Sequence, residues 1–166
     1  MFKIGTPLAL LAGAITLAAL DLANAQTPAS SEAATPPVYR PSVGDLMTIA
    51  VQPRHIKPGL AGQERNWTYA AYELRELQGA FERMARAVPT YRSMNMADLI
   101  TATTKAPMED VAAAVKSGDA AKFTEAYAQL TATCNACHQS TVHSAVVIQV
   151  PKASAYPDQD FRLPKP

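Results

Sequence analysis

A chain of 166 residues with 48% hydrophobic content is long enough for one domain with a real core and too short for several. Lys and Arg number 15 against 14 Asp and Glu, a formal charge of +1. A balance this close to neutral excludes the strong fields that bind nucleic acid, hold a membrane surface or steer an acidic partner.

Residues 1–25 read as a secretory signal peptide. Met1-Phe2-Lys3 gives a short positive start, an apolar run extends from Leu8 to Leu20, and Ala23-Asn24-Ala25 is a small-residue cleavage site. The run of about 13 residues is short for a bilayer span, so it is expected to be removed, with no stable membrane anchor and a mature chain beginning at Gln26 in the periplasm. Residues 26–41 are rich in Pro, Ala, Ser and Thr without periodicity and are expected to form a flexible leader.

Ser42 and Asp45 make a capping signal, so a first helix starts at Val43 and takes in Leu46, Met47, Ala50 and Val51. Pro53 and Pro58-Gly59 interrupt the pattern before about Glu64, and a kink or break is expected there. The second helix is the clearest element. Asn66 caps it, Trp67, Ala70, Leu74, Leu77, Phe81, Met84 and Val88 repeat at spacings of three and four, and Pro89 stops it. Glu73, Arg75, Glu76, Glu82, Arg83 and Arg86 fall elsewhere on the wheel. A linker follows, with Met94 and Met96 expected at its surface and a short helical stretch around Ala97 to Thr103. Pro107 then stands at a first-turn position of a third helix that carries Met108, Val111, Ala112 and Val115 and stops at Gly118. Asp119 caps a fourth, with the stripe Phe123, Tyr127, Leu130, Cys134, Cys137, Thr141. The fold class expected is all-α, an antiparallel four-helix bundle over residues 42–143, followed by an extended Pro-containing tail over 144–166. The tail's apolar run from Val146 to Val150 is expected over the bundle end.

The chemistry sits in Cys134-Asn135-Ala136-Cys137-His138. A C-x-x-C-H run in an exported protein is the attachment pattern of haem c: two thiols add across the porphyrin vinyl groups, and the adjacent imidazole reaches the iron. On a helix these positions are i, i+3 and i+4, so all three side chains leave one face. Two other readings compete. A thioredoxin-like dithiol would open a helix after a strand, whereas this pair falls late in a helical pattern. A zinc site using Cys134, Cys137, His138 and His143 suffers from the divergence of about 100° between adjacent helical positions. Haem attachment would consume the only two cysteines, which agrees with an oxidising compartment.

A late C-x-x-C-H on the fourth of four helices resembles the class II cytochromes c, the cytochrome c′ and cytochrome c-556 group. The stretch from Met47 through Arg54-His55-x-Lys57, then Asn66-Trp67 and Tyr72-Glu73, is also similar to a set of small secreted proteins of the cytochrome c family. The resemblance covers residues 42–143 in architecture, with specificity only in the haem motif. Every methionine precedes the motif, and in an up-down-up-down bundle the start of the first helix lies level with the end of the fourth. Met47 is therefore the candidate sixth ligand, matching the methionine of the c-556 type; the alternatives are that it only packs against the ring or that His55 takes its place. The resemblance leads one to expect bulky apolar residues where Pro58-Gly59-Leu60 stands.

The function expected is periplasmic electron transfer through one covalent haem c with His138 and Met47 as axial ligands, and no enzymatic activity. The alternatives are a five-coordinate protein that binds or senses a small gas such as nitric oxide, and a haem-free thiol-disulfide protein with a reactive Cys134. The partners implied are redox proteins or a gas ligand, with homodimer formation left open. Arg54, Lys57 and Arg65 are candidates for pairing with haem propionates or simply a solvated face. His143 is expected to be exposed or bonded to the tail.

Overall fold

The computed structural model describes residues 38–164, and from Val38 onward the chain forms one compact unit. The signal over 1–25 and the leader over 26–37 lie outside the described residues.

The fold is all-α apart from one short hairpin. Ser42 caps the first helix, α1 (Val43–Leu46), with a full capping box: its side chain accepts from the Asp45 amide, and the Asp45 carboxylate accepts from the Ser42 amide. The helix continues through a π-helical segment (Met47–Val51) into α2 (Gln52–Gln63) with right-handed helical backbone at both junctions. The break expected at Pro53 is absent. A π turn uses i→i+5 bonding, and here the Gln52 amide reaches the Met47 carbonyl. This wider turn ends where Pro53 would otherwise need an amide donor and would crowd the carbonyl of Ile49. Pro58 lies inside α2 and is buried without ending it.

Asn66 caps α3 (Trp67–Ala87) by accepting from the Tyr69 amide, and the stripe from Ala70 to Met84 is buried. Glu73, expected off the core face, is 2% exposed. The expected linker contains a two-stranded antiparallel hairpin, β1 (Thr90–Tyr91) with β2 (Met94–Asn95), whose turn residues Arg92 and Ser93 both have positive φ, as tight hairpin turns require.

Asn95 caps α4 (Met96–Ser117), which is one helix where a short stretch and a separate third helix were expected. Pro107 is interior, not first-turn. Met96, assigned to the surface from the sequence, is 3% exposed. Met96, Thr104, Met108, Val111 and Val115 all face the core. Their burial offsets the roughly 3 kcal/mol cost of an interior proline. Gly118, at φ 66, ends α4 in the left-handed conformation, and its Cβ position stands 3.4 Å from the Trp67 ring. Asp119 then caps α5 (Ala120–Ser140) by accepting from the amides of Ala121 and Lys122.

Each long helix packs on the next, α2 on α3, α3 on α4 and α4 on α5, and α5 packs back on α2. The α2–α5 contact is fixed by glycines. A Cβ on Gly59 would meet the Tyr127 ring at 2.6 Å, and one on Gly62 would run into the Phe123 ring. Pro58-Gly59, out of step with the resemblance, thus makes room for Tyr127. The order of these contacts, Gly62 with Phe123 and Gly59 with Tyr127, makes α2 and α5 antiparallel.

Candidate haem site

α5 is helical without interruption from Phe123 through His138, so Cys134, Cys137 and His138 keep the i, i+3, i+4 relation. Both cysteines are free thiols and partly buried. Burial pushes the Cys134 thiol up to about 11, with the neighbouring Cys137 adding to the effect, and burial raises Cys137 as well. A nucleophilic dithiol needs the opposite, a thiol held low by cationic or helix-N-terminal surroundings. This environment lends the thiol-disulfide reading no support. Among the described residues no three His, Cys, Asp or Glu side chains gather as they would around a bare metal ion; a haem held by two thioethers and one imidazole needs no such group.

The histidine is oriented by the chain that follows it. α5 ends in a Schellman turn: the Val142 amide bonds the Gln139 carbonyl at 3.3 Å and the His143 amide bonds the His138 carbonyl at 2.7 Å. Val142 takes the left-handed position usual for glycine, at φ 63. The turn brings the tail back onto α5. There the Val146 carbonyl lies 2.8 Å from His138 Nδ1. A carbonyl only accepts, so Nδ1 carries the proton and Nε2 keeps its lone pair, the form of imidazole that binds a metal. Asn135, one of the two residues between the cysteines, fastens the tail two residues further on. Its Nδ2 donates to the Ile148 carbonyl at 2.9 Å and its Oδ1 accepts from the Ile148 amide at 2.7 Å. No signal in the sequence marked Asn135, because a reciprocal side-chain amide clamp depends on a return of the chain that local pattern does not encode.

Met47 opens the π segment and packs, partly buried, against the core. Continuing the α2–α5 register toward the N-terminus of the first helix brings Met47 level with Cys137 and His138. π segments often occur at functional sites, and Met47 is the first residue of this one.

His55 does not share that freedom. It is 4% exposed, with Nε2 3.1 Å from Thr131 Oγ1. The Thr131 hydroxyl already donates to the Tyr127 carbonyl at 2.9 Å, so His55 Nε2 must be the donor. Its Nδ1 lies 3.4 Å from the Tyr127 hydroxyl, whose single proton goes to the His55 carbonyl. Nε2 is engaged, Nδ1 is closed in by Tyr127, and burial lowers the ring's pKa from 6.5 to about 4. His143 is exposed, its ring meeting Thr141 and Tyr91 and its carbonyl accepting from the Val146 amide of the tail; His138 is the histidine whose ring the tail reaches.

Two of the three candidate propionate partners are committed elsewhere. Arg54 donates to Glu73 at 2.8 Å and lies 3.8 Å from Glu76, while Lys57 is 3.9 Å from Glu73 and over the Tyr156 ring. Arg65 is exposed in the α2–α3 turn at φ 56. A groove of about 790 Å³ between α3 and α4 is lined by Trp67, Phe81, Met108 and their neighbours and by none of the motif residues.

A scan against known protein families, a search of curated proteins and a search of solved structures each return no match for this chain.

Proposed function

We propose that the chain is a class II cytochrome c-like electron carrier: an antiparallel four-helix bundle with one haem c joined covalently to Cys134 and Cys137, with His138 as proximal ligand. The observation that carries this reading is the His138 Nδ1 contact to the Val146 carbonyl, which leaves Nε2 available on the helix face that also bears the two thiols. The haem, when bound, supplies the one-electron chemistry; the chain supplies the axial ligands, their orientation and the apolar surroundings. His138 offers nitrogen and Met47 offers sulfur. A pair of strong ligands held on rigid helices keeps coordination unchanged between oxidation states and favours transfer. The burial of His55 and the bond from its Nε2 to Thr131 favour Met47 as the second ligand over His55. The signal sequence and the use of both cysteines support export to a periplasm, with redox proteins as partners.

Two experiments test this. Protein matured in a periplasm with haem-attachment machinery should keep its colour through acid and organic extraction; colour that leaves with the solvent ends the proposal. The ferric protein should be low-spin with a sulfur-to-iron charge-transfer band in the far red, and Met47→Ala should abolish that band and lower the reduction potential. A parent protein that is already high-spin and takes up nitric oxide would favour the five-coordinate, gas-binding alternative.

A further inference from the structure

Asn135 lies between the haem-binding cysteines of the proposed site, yet its amide bonds only the tail. Its reciprocal pair of bonds to Ile148 fixes the backbone immediately after Val146, whose carbonyl is the acceptor for His138 Nδ1–H. The side chains of Val146 and Val147 are 50% and 66% exposed. Burial of those side chains is therefore not what holds this stretch. Polar bonds hold it: the Asn135 clamp, the Val146 amide to the His143 carbonyl at 2.8 Å, and Gln63 Nε2 to the Pro151 carbonyl at 2.9 Å.

We propose that Asn135 and the tail stretch 146–148 form a positioning device for His138, in which the clamp holds the Val146 carbonyl against Nδ1–H and so sets the orientation and basicity of the proximal ligand. This rests on the haem reading. A backbone carbonyl that accepts from Nδ1–H raises the electron donation of Nε2, as outer partners of metal-bound histidines do. More donation favours the ferric state, so the intact clamp keeps the reduction potential low. Loosening the clamp frees the ring to turn and weakens donation. The two axial atoms stay the same, but the potential rises.

The test compares haem-matured, full-length parent with Asn135→Ala and Asn135→Asp. The second variant keeps the size and the acceptor for the Ile148 amide but replaces the donor to the Ile148 carbonyl with a repelling oxygen. It stands in if the first matures poorly. Each protein is measured for covalent haem mass, reduction potential, and exchange of the His138 Nδ1 proton by NMR in the ferrous state. Loss of one hydrogen bond should speed that exchange by roughly tenfold in both variants, with haem mass unchanged and the potential raised in Asn135→Ala; the negative charge added by Asn135→Asp favours the ferric state, so that variant is judged on exchange. Gln63→Ala, which cuts only the more distant anchor, should leave all three readings at parent values. Variants that carry haem but match the parent in potential and exchange would overturn the positioning role alone. A merely structural role for Asn135 would lower the melting temperature without moving the potential. A parent that carries no covalent haem would overturn the haem reading and this inference with it.

Discussion

A histidine buried in a core, with Nε2 donating to Thr131, keeps its place in the neutral form. Burial lowers the folded-state pKa of His55 from 6.5 to about 4, so between those values the unfolded chain binds the proton and the folded chain does not. Stability contributed by neutral His55 is therefore complete above about pH 6.5 and lost as pH falls toward 4, at most roughly 3 kcal/mol. Chemical denaturation at pH 7 and pH 5 should show this slope in the parent. His55→Gln should flatten it while retaining a bond to Thr131. An equal slope in the variant would assign the pH response to other groups. From the sequence His55 could be read as ligand, propionate partner or solvent-facing residue, because Pro53 hid its direction. What decides it is Thr131 and Tyr127, residues far along the chain.

At the scale of elements, the four long helical stretches were legible and their interruptions were not. Capping residues and apolar periodicity marked Ser42, Asn66 and Asp119, and each of these caps a helix. Prolines 53 and 58 argued for a kink or break and Pro107 for the start of a helix, since local rules count a missing donor and a clash. They do not count the burial gained when Met96, Thr104 and Met108 face the core on one continuous α4. Glu73 was missed for a similar reason: its burial follows from Arg54 and Lys57 on the neighbouring helix, a pairing that periodicity does not encode. The glycines of α2 have their effect at this scale. Gly62→Ala would force a methyl into the Phe123 ring. It should destabilise the protein by about 1–3 kcal/mol, as overpacking does, despite the better helix propensity of alanine. Thermal denaturation checks it; a raised melting temperature would mean that α2 and α5 have room to part.

For the molecule as a whole, the tail is the part the sequence described least. Its prolines and lost periodicity gave an extended segment, and regular secondary structure is indeed absent there. Its course, however, crosses the first two long helices. Tyr69 donates to Gln159 at 3.3 Å, Asn66 donates to the Arg162 carbonyl at 3.1 Å, and Phe161, 7% exposed, stacks on Tyr69. Phe161 belongs to the core. Phe161→Ala should cost about 3 kcal/mol in urea denaturation of the whole chain. A cost below about 0.5 kcal/mol, the range of ordinary surface changes, would make the tail a passive appendage. The C-x-x-C-H stretch was legible as a spacing pattern, and α5 keeps its three side chains in the i, i+3, i+4 relation. The Val146 acceptor was not legible, because a backbone carbonyl has no letter in the sequence.

Burial of Cys134 also imposes an order of events. Thioether formation needs a thiolate that an attachment enzyme can reach, and in the folded chain that thiol is pushed up to about 11 by its surroundings. On the haem reading, modification must precede closure of the core. The segment that returns onto α5, from Val142 onward, is made after the cysteines. On that reading the chain would carry its own timer: the latch arrives last, once the thiols have had their interval of exposure.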